Sequence, residues 1–376
     1  MEKFVLVFEI GSSSLRGMLA GRGINNTFKV KGYKEVLYDG FYEGNFLAPD
    51  KIYDALKGLM RELDAYPNKN LDKVYFSLPS EFSSVRTAEV SLNLGERRKI
   101  KRADIDALNY TASEKAKNGD VEIVSIAPIT YILDDGRFTL EPVGENASSL
   151  SAKMSIVYAS KEYIEFFNNI ASKLEFERVE YLSEALCQSR FVLPKDKREE
   201  LTLLIDVGDL TTSIAFAKGQ GLVGLTSFAR GGGFITNDLA EAFDLSISEA
   251  NNLKEIIVLS LQGKKGDFYE LSGENAVAQK ILLSSANEVV KYRIDELGKV
   301  ISRYLHLFAK DDFASVPIYL TGAGLTKIKG GRDYLAKCLG RNVNYAFPPL
   351  PGKDKPELAS IYSLVNGALQ SEAEKR

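Results

Sequence analysis

Apolar positions in this chain fall into short continuous runs separated by stretches of helical spacing, and each change of pattern is marked by glycine, proline or hydroxyl residues. Phe4 to Ile10 is closed by Gly11, Ser12, Ser13 and Ser14, which predicts a buried strand entering a tight turn. Ile52, Ala55, Leu56, Leu59, Met60 and Leu63 then recur at helical spacing, and Lys73 to Leu78 is a strand stopped by Pro79. Between about Glu81 and Ser160 the texture changes. A strand (Val85 to Leu94), a polar helix (Ala103 to Lys117) and strand-rich sequence (Glu122 to Leu133, Phe138 to Leu140, Leu150 to Ala159) predict a small α+β module. Helices are expected from Glu162 to Leu174 and from Leu182 to Phe191, before the charged linker Pro194 to Glu200.

A second strongly apolar strand, Leu201 to Asp206, leads to Gly208, and Lys218-Gly219-Gln220-Gly221 separates two alternating segments as a hairpin turn would. Beyond the glycines at 231–233 the pattern is helical to about Arg303; Pro317 to Leu320 is another buried strand, and helices, including Ile361 to Leu369, close the chain. The pattern contains a repeat. Glu9-Ile10-Gly11-Ser12-Ser13 and Asp206-Val207-Gly208-Asp209-Leu210-Thr211-Thr212 each follow a buried strand with an acid, an aliphatic, a glycine and hydroxyls, which predicts two similar lobes facing one cleft.

Composition narrows the partners. A length of 376 residues exceeds what one core usually supports. With 48 basic and 51 acidic side chains the net charge is −3, so nothing draws the whole chain to nucleic acid or anionic lipid. Cys187 and Cys338 lack metal or redox spacing and are expected as buried thiols. The start meets Glu2 too early for a leader, and no apolar run reaches the ~18 residues of a membrane span. The single histidine, His306, gives no triad or zinc motif and is expected to be structural.

The two loops suit phosphate. Glycine admits the tight turn and close backbone approach that an oxyanion needs, so Gly11, Ser12, Ser13 and Ser14 on one side and Gly208, Thr211 and Thr212 on the other form candidate cradles. Glu9 and Asp206, at the strand ends, are candidates to hold Mg²⁺ through water. A third loop, Gly322-Ala323-Gly324-Leu325, follows another buried strand and is placed for the adenosine of ATP.

The order of these loops resembles the actin, sugar-kinase and Hsp70 superfamily, and within it the bacterial cell-division protein FtsA, over most of the chain. Gly231-Gly232-Gly233-Phe234-Ile235-Thr236-Asn237-Asp238-Leu239-Ala240 is similar to that family's Gly-Gly-x-x-x-Thr-x-Asp-Ile-Ala, and Glu249 and Lys254 stand where it carries charged residues near the adenine pocket. Glu141-Pro142-Val143-Gly144 looks like the turn of the family's inserted module. The resemblance implies an α/β fold of actin type. Its first lobe would be 1–81 and 159–195, its SHS2-like insert 82–158, its second lobe 196–240 and 305–376, and a small helical subdomain 241–304. It also implies ATP and Mg²⁺ in the cleft, filaments of the chain itself, other division proteins meeting 82–158, and an FtsZ C-terminal peptide meeting a basic residue near Arg293. A division adaptor at the inner face of the cell membrane is the function implied; a PilM-like scaffold with weak or no nucleotide binding is the alternative, and a sugar kinase or chaperone ATPase a third.

Three departures qualify the resemblance. Glu9 replaces the usual aspartate. Asp209-Leu210 replaces a glycine pair, and a carboxylate ~4 Å from a phosphate oxygen costs about 4 kcal/mol at an effective dielectric of ~20, so weak ATP binding and hydrolysis are expected unless Asp209 turns outward to solvent or is neutralised by metal. The tail Ser371 to Arg376 has no apolar face, so any membrane link is expected through a partner or a segment missing from this chain. The basic run at 97–102 is expected to be a solvated face, with an acidic partner as the sharper alternative.

Overall fold

The computed structural model describes residues 4–24, 27–67, 71–117, 119–261, 263–264, 266–272, 278–308 and 315–374. The first three residues and Lys375 and Arg376 of the charged tail lie outside them. The chain opens with β1 (Phe4–Ile10), β2 (Ser14–Arg22), β3 (Phe28–Leu37), the short pair β4 (Phe41–Tyr42) and β5 (Asn45–Phe46), α1 (Pro49–Leu63) and β6 (Lys73–Leu78). The insert follows as β7 (Ser83–Lys99), α2 (Arg102–Ala116), β8 (Val121–Leu133), β9 (Phe138–Thr139) and β10 (Asn146–Ser160). The first lobe resumes with α3 (Lys161–Lys173), β11 (Arg178–Ser183) and α4 (Glu184–Val192). The second contains β12 (Thr202–Val207), β13 (Thr212–Lys218), β14 (Gly221–Phe228), α5 (Gly232–Phe243), α6 (Ile247–Ile256), β15 (Phe268–Ser272), β16 (Ala278–Leu282), α7 (Leu283–Phe308), β17 (Ile318–Thr321), α8 (Ala323–Thr326), α9 (Gly331–Leu339) and β18 (Val343–Tyr345), and α10 (Ala359–Glu374) ends the chain.

The repeat seen in the sequence is a repeat in space. One sheet runs β11-β6-β1-β2-β3 and the other β18-β17-β12-β13-β14, so each lobe has the same order: a central strand, an antiparallel hairpin on one side and parallel strands on the other. Both central strands are buried on both faces. In β1, Leu6, Phe8 and Ile10 join the core that takes Ile52, Leu56, Leu59, Met60 and Leu63 of α1, while Val5 and Val7 face Ile361, Leu364, Val365 and Ala368 of α10. α1 starts with Pro49 in its first turn, where no intrahelical N–H is lost, and ends at Asp64 in the left-handed region.

That packing corrects one boundary: α10, expected in the second lobe, belongs to the first. Its apolar stripe covers the outer face of β1 and β2, and its far end is latched by Glu372, whose carboxylate accepts from Lys73 Nζ and Tyr75 Oη at 2.7 Å each. Lys73 also pairs with Glu180 at 2.6 Å. Lys73→Ala would leave two buried-edge carboxylates facing each other, and a loss of about 3 kcal/mol in urea unfolding is the expected result.

Other differences have simple causes. The 241–304 subdomain is not helical throughout, because β15 and β16 form a hairpin whose alternating Tyr269 and Leu271 are too few to outweigh the surrounding helical pattern. β3 was hidden by its polarity, being an edge strand with lysines on its exposed positions. The segment expected as helix from Leu182 is strand until Ser183, whose side chain caps α4. His306 is exposed on α7. The 97–102 run is largely neutralised: Arg98 forks onto Asp104 with two 2.8 Å bonds, and Arg97 and Arg102 reach Asp134 and Asp106. The turn at Pro142 is present, with Gly144 at φ +94. The insert's sheet, β7-β10-β8-β9, also grips the second lobe. The turn at 218–221 donates from Gln220 N–H to Pro128 O at 2.9 Å and from Leu222 N–H to Ser155 Oγ at 3.0 Å.

Candidate nucleotide cleft

Each central strand ends in the same turn. Gly11 N–H donates to Ser14 O at 3.0 Å, and Gly208 N–H to Thr211 O at 2.9 Å. The two turns face each other across the cleft and touch, Leu210 N–H donating to Ser12 Oγ at 3.1 Å. The third loop closes in from β17. Gly322 sits at φ +84, a conformation that favours glycine, and a Cβ on Gly324 would lie 2.1 Å from Gly208 O. Three backbones therefore meet where the sequence placed three loops.

Two cavities adjoin this meeting point. The first, about 130 Å³, is lined by Glu9, Gly11, Ser12, Ser13 and Ser14 from one lobe and Asp206, Gly208, Asp209 and Thr211 from the other, with Gly322 and Ala323 above. The second, about 300 Å³, lies beyond Asp209 and is lined by Asn251, Lys254, Glu255, Lys327, Ala323 and Gly324. Neither alone holds a whole nucleotide comfortably, since small-molecule sites occupy roughly 300–1,000 Å³. Together they would be the phosphate side and the adenosine side of a nucleotide site, with Asp209 and Ala323 on the walls of both. Asp209 thus borders both cavities, and Lys254 and Lys327 also line the second.

The electrostatics of the first cavity are dominated by buried acids. Burial pushes the Glu9 carboxyl up, partly offset by Arg16, whose Nη1 lies 3.2 Å from Glu9 Oε1. Asp206 is also raised by burial, against the hydrogen bond it accepts from Gln188 at 2.6 Å. Glu184, the first residue of α4, is held well above the ordinary range by burial and by the neighbouring Glu9 charge, and it accepts from Ser360 Oγ at 2.5 Å. Glu9 Oε2 is buried without a hydrogen-bond partner. A hydrated Mg²⁺ fits this donor set, because its water would satisfy that oxygen while Asp206 faces the same space. Mg²⁺ usually keeps several of its waters, and among the described residues no group of three acids, histidines or cysteines is gathered closely enough to ligate a metal directly.

Several expected site residues do other work. Thr212 is buried, and its hydroxyl donates to Arg230 O. Gly232 and Gly233 direct their N–H groups to Gly208 O (2.9 Å) and Asp209 O (2.8 Å), so they brace the second loop and leave no donor for phosphate. A Cβ on Gly232 would lie 2.3 Å from Gly324 Cα, which explains the residue type. Glu249 closes a capping box with Ser246 at the start of α6, away from the cavity. Leu325 is fully buried in the second core. Asp238 and Arg293, expected at the nucleotide and at a partner peptide, hold each other through two 2.6 Å bonds. Lys254 does line the adenosine side, with Nζ donating to Thr236 Oγ1 at 2.6 Å.

The sequence reading missed Arg16, Glu184 and Gln188. Hairpin register could have found the first: a turn from Gly11 to Ser14 sets Arg16 opposite Glu9, as Ser213 stands opposite Asp206. Glu184 was hidden by merging β11 with α4, which placed the strand end out of view.

Comparison with known proteins accounts for this architecture. The family model described as cell division protein FtsA matches residues 203–363, and that for the SHS2 domain inserted in FtsA matches 82–158. Cell division protein FtsA of Staphylococcus epidermidis is 21% identical over 98% of this chain and 79% of its own length. That of Bacillus subtilis is 20% identical over 96% and 83%. Among solved structures, the PilM-PilN type IV pilus biogenesis complex aligns with a TM-score of 0.62 at 17% identity, over 98% of this chain and 99% of the other. MreB 5 of Spiroplasma citri bound to AMPPNP aligns with 0.58 at 11%, over 99% and 97%. At those identities the structures establish the actin-like fold. With both family models and relatives spanning nearly the whole chain, the protein belongs to the FtsA family as a divergent, actin-like cell-division member.

Proposed function

We propose that this chain is a division adaptor that binds ATP between its lobes, assembles with copies of itself and links FtsZ to the inner face of the cell membrane. The observation that supports ATP is the pair of matching turns, each with an acid at its strand end, around one acid-lined cavity. Ser12, Ser13, Gly208 and Thr211 would surround the phosphates, and Lys254, Asn251, Ala323 and Gly324 the adenosine. Glu9 and Asp206 would hold Mg²⁺ through water, and the ion would neutralise phosphate charge. Glu184 in its ionised form would take a proton from a water in the cavity; burial and the Glu9 charge hold its carboxyl well above the ordinary range. Entry of nucleotide requires the Ser12–Leu210 contact to part, so binding and lobe separation are one event.

Other division proteins would meet the insert at its root. There a cavity of about 500 Å³ lies between the lobe and the insert, walled by Phe46, Phe82, Tyr163 and Phe166. The FtsZ peptide would meet the small subdomain beside exposed Tyr292, where Arg293 must exchange Asp238 for the peptide's carboxylates. Among the described residues no helix is long and apolar enough to cross a membrane, so attachment would use a partner or a further segment.

Fluorescence anisotropy with an FtsZ C-terminal peptide tests the adaptor. Saturable binding that weakens by about tenfold or more in Arg293→Gln/Asp238→Asn supports it. No binding at high peptide concentration sinks it and favours the PilM-like scaffold, a reading that Asp209 and the closed loops support. If Asp209 suppresses hydrolysis, Asp209→Gly/Leu210→Gly should turn ATP over faster than the native chain.

A further inference from the structure

Arg16 is the one lysine or arginine among the described residues lining the phosphate-side cavity, and it is set there by hairpin register opposite Glu9. Its guanidinium is shared. Nη1 donates to Glu9 Oε1 at 3.2 Å and to the Glu357 carbonyl at 3.4 Å, while Nε donates to Glu35 Oε1 at 2.9 Å. Ser14 Oγ donates to the same Glu35 oxygen at 2.7 Å. The side chain is 19% exposed and Glu9's is 6% exposed, so the pair sits on the cavity wall. Glu35, on the edge strand β3 and 39% exposed, offers Arg16 an anchor that survives if it lets go of Glu9.

The consequence concerns the metal. Glu9 has two oxygens; Arg16 occupies one and the other is buried with no partner. A divalent cation beside Glu9 would stand against the guanidinium, and the like charges would repel in a site shielded from water. We propose that Arg16 makes metal binding in this cleft conditional on phosphate: the guanidinium guards Glu9 in the empty cleft and yields it when phosphate oxygens take over the guanidinium. The inference rests on the reading of the cleft as a nucleotide and Mg²⁺ site, but its test needs no nucleotide. Without Arg16, Glu9 and Asp206 would be buried acids with no cation of their own, and a buried acid that loses its partner takes up a proton or another cation.

Equilibrium dialysis of the full chain against Mn²⁺, with and without inorganic pyrophosphate, decides it. The native chain should retain Mn²⁺ only with pyrophosphate. Arg16→Met should retain one Mn²⁺ per chain without it, about tenfold or more tighter than the native chain, and Arg16→Met/Glu9→Gln should lose that gain. Saturable Mn²⁺ retention by the native chain alone would overturn the proposal, as would no retention even with pyrophosphate. Those two outcomes use only native protein, so the proposal stays exposed if the variants fold poorly. Failure of ATP to bind while the pyrophosphate result holds would count against the nucleotide reading and leave Arg16's role standing.

Discussion

Gly324→Ala is expected to lower stability by about 3 kcal/mol or more and to abolish nucleotide binding, although it adds only a methyl group. The new Cβ would lie 2.1 Å from Gly208 O and 2.8 Å from Gly232 N, both backbone atoms of loops that are themselves braced. Neither can move aside as a side-chain tip would, so the strain spreads into the junction of all three loops. Gly58→Ala is the matched control. It lies in α1 with nothing within 4 Å of its Cβ, and a gain of up to about 1 kcal/mol is expected there. Thermal or urea unfolding of the two variants side by side separates a general cost of replacing glycine from the cost of this contact.

Glu184→Gln is expected to give the second large effect, with opposite signs on stability and activity. Glu9, Glu184 and Asp206 all have carboxyl pKa values raised by burial, so above the ordinary carboxylate range the folded chain binds more protons than the unfolded one. Stability of the empty protein should therefore fall as pH rises from that range through their raised values. Glutamine keeps the shape and the Ser360 hydrogen bond without a titrating proton. The variant should be more stable than the native chain by on the order of 1 kcal/mol at pH 8, with a shallower decline on the alkaline side. Any ATP hydrolysis should drop by 10²-fold or so, the contribution typical of a general base. A parallel decline of both proteins with pH would remove Glu184 from this account.

Much of the fold could be read from residues near one another in the chain. The two strand-turn motifs were visible because β1 and β12 are continuous apolar runs ending in an acid and a glycine, and they occupy equivalent places in two sheets of the same order. The insert was visible because the texture changes near Glu81 and Ser160, close to the limits 82 and 158 of the matched SHS2 domain. What escaped depended on partners far along the chain. Asp238 and Arg293 each carry a motif-like context, yet their mutual pairing over 55 residues cannot be inferred from either. Gly232 looked like a phosphate glycine, but its hydrogen of a side chain serves the close approach of Gly324 from another element. The assignment of α10 failed similarly: an apolar stripe says that a helix is buried, while its location on the first lobe is decided by which sheet face remains uncovered.

The departure at Asp209 now has a place. It borders both cavities, so its charge would bear on both halves of a nucleotide bound there, and Lys254 and Lys327 line the second cavity with it. That arrangement is compatible with a nucleotide held weakly and turned over slowly. The central claim is that nucleotide binds between the lobes, and isothermal titration of the nucleotide-free chain with ATP and Mg²⁺ tests it most directly. One saturable site per chain is expected, lost in Gly324→Ala and tightened in Asp209→Gly. Absence of binding heat at several temperatures in a cooperatively folding native chain, with the Asp209→Gly variant equally silent, would contradict it.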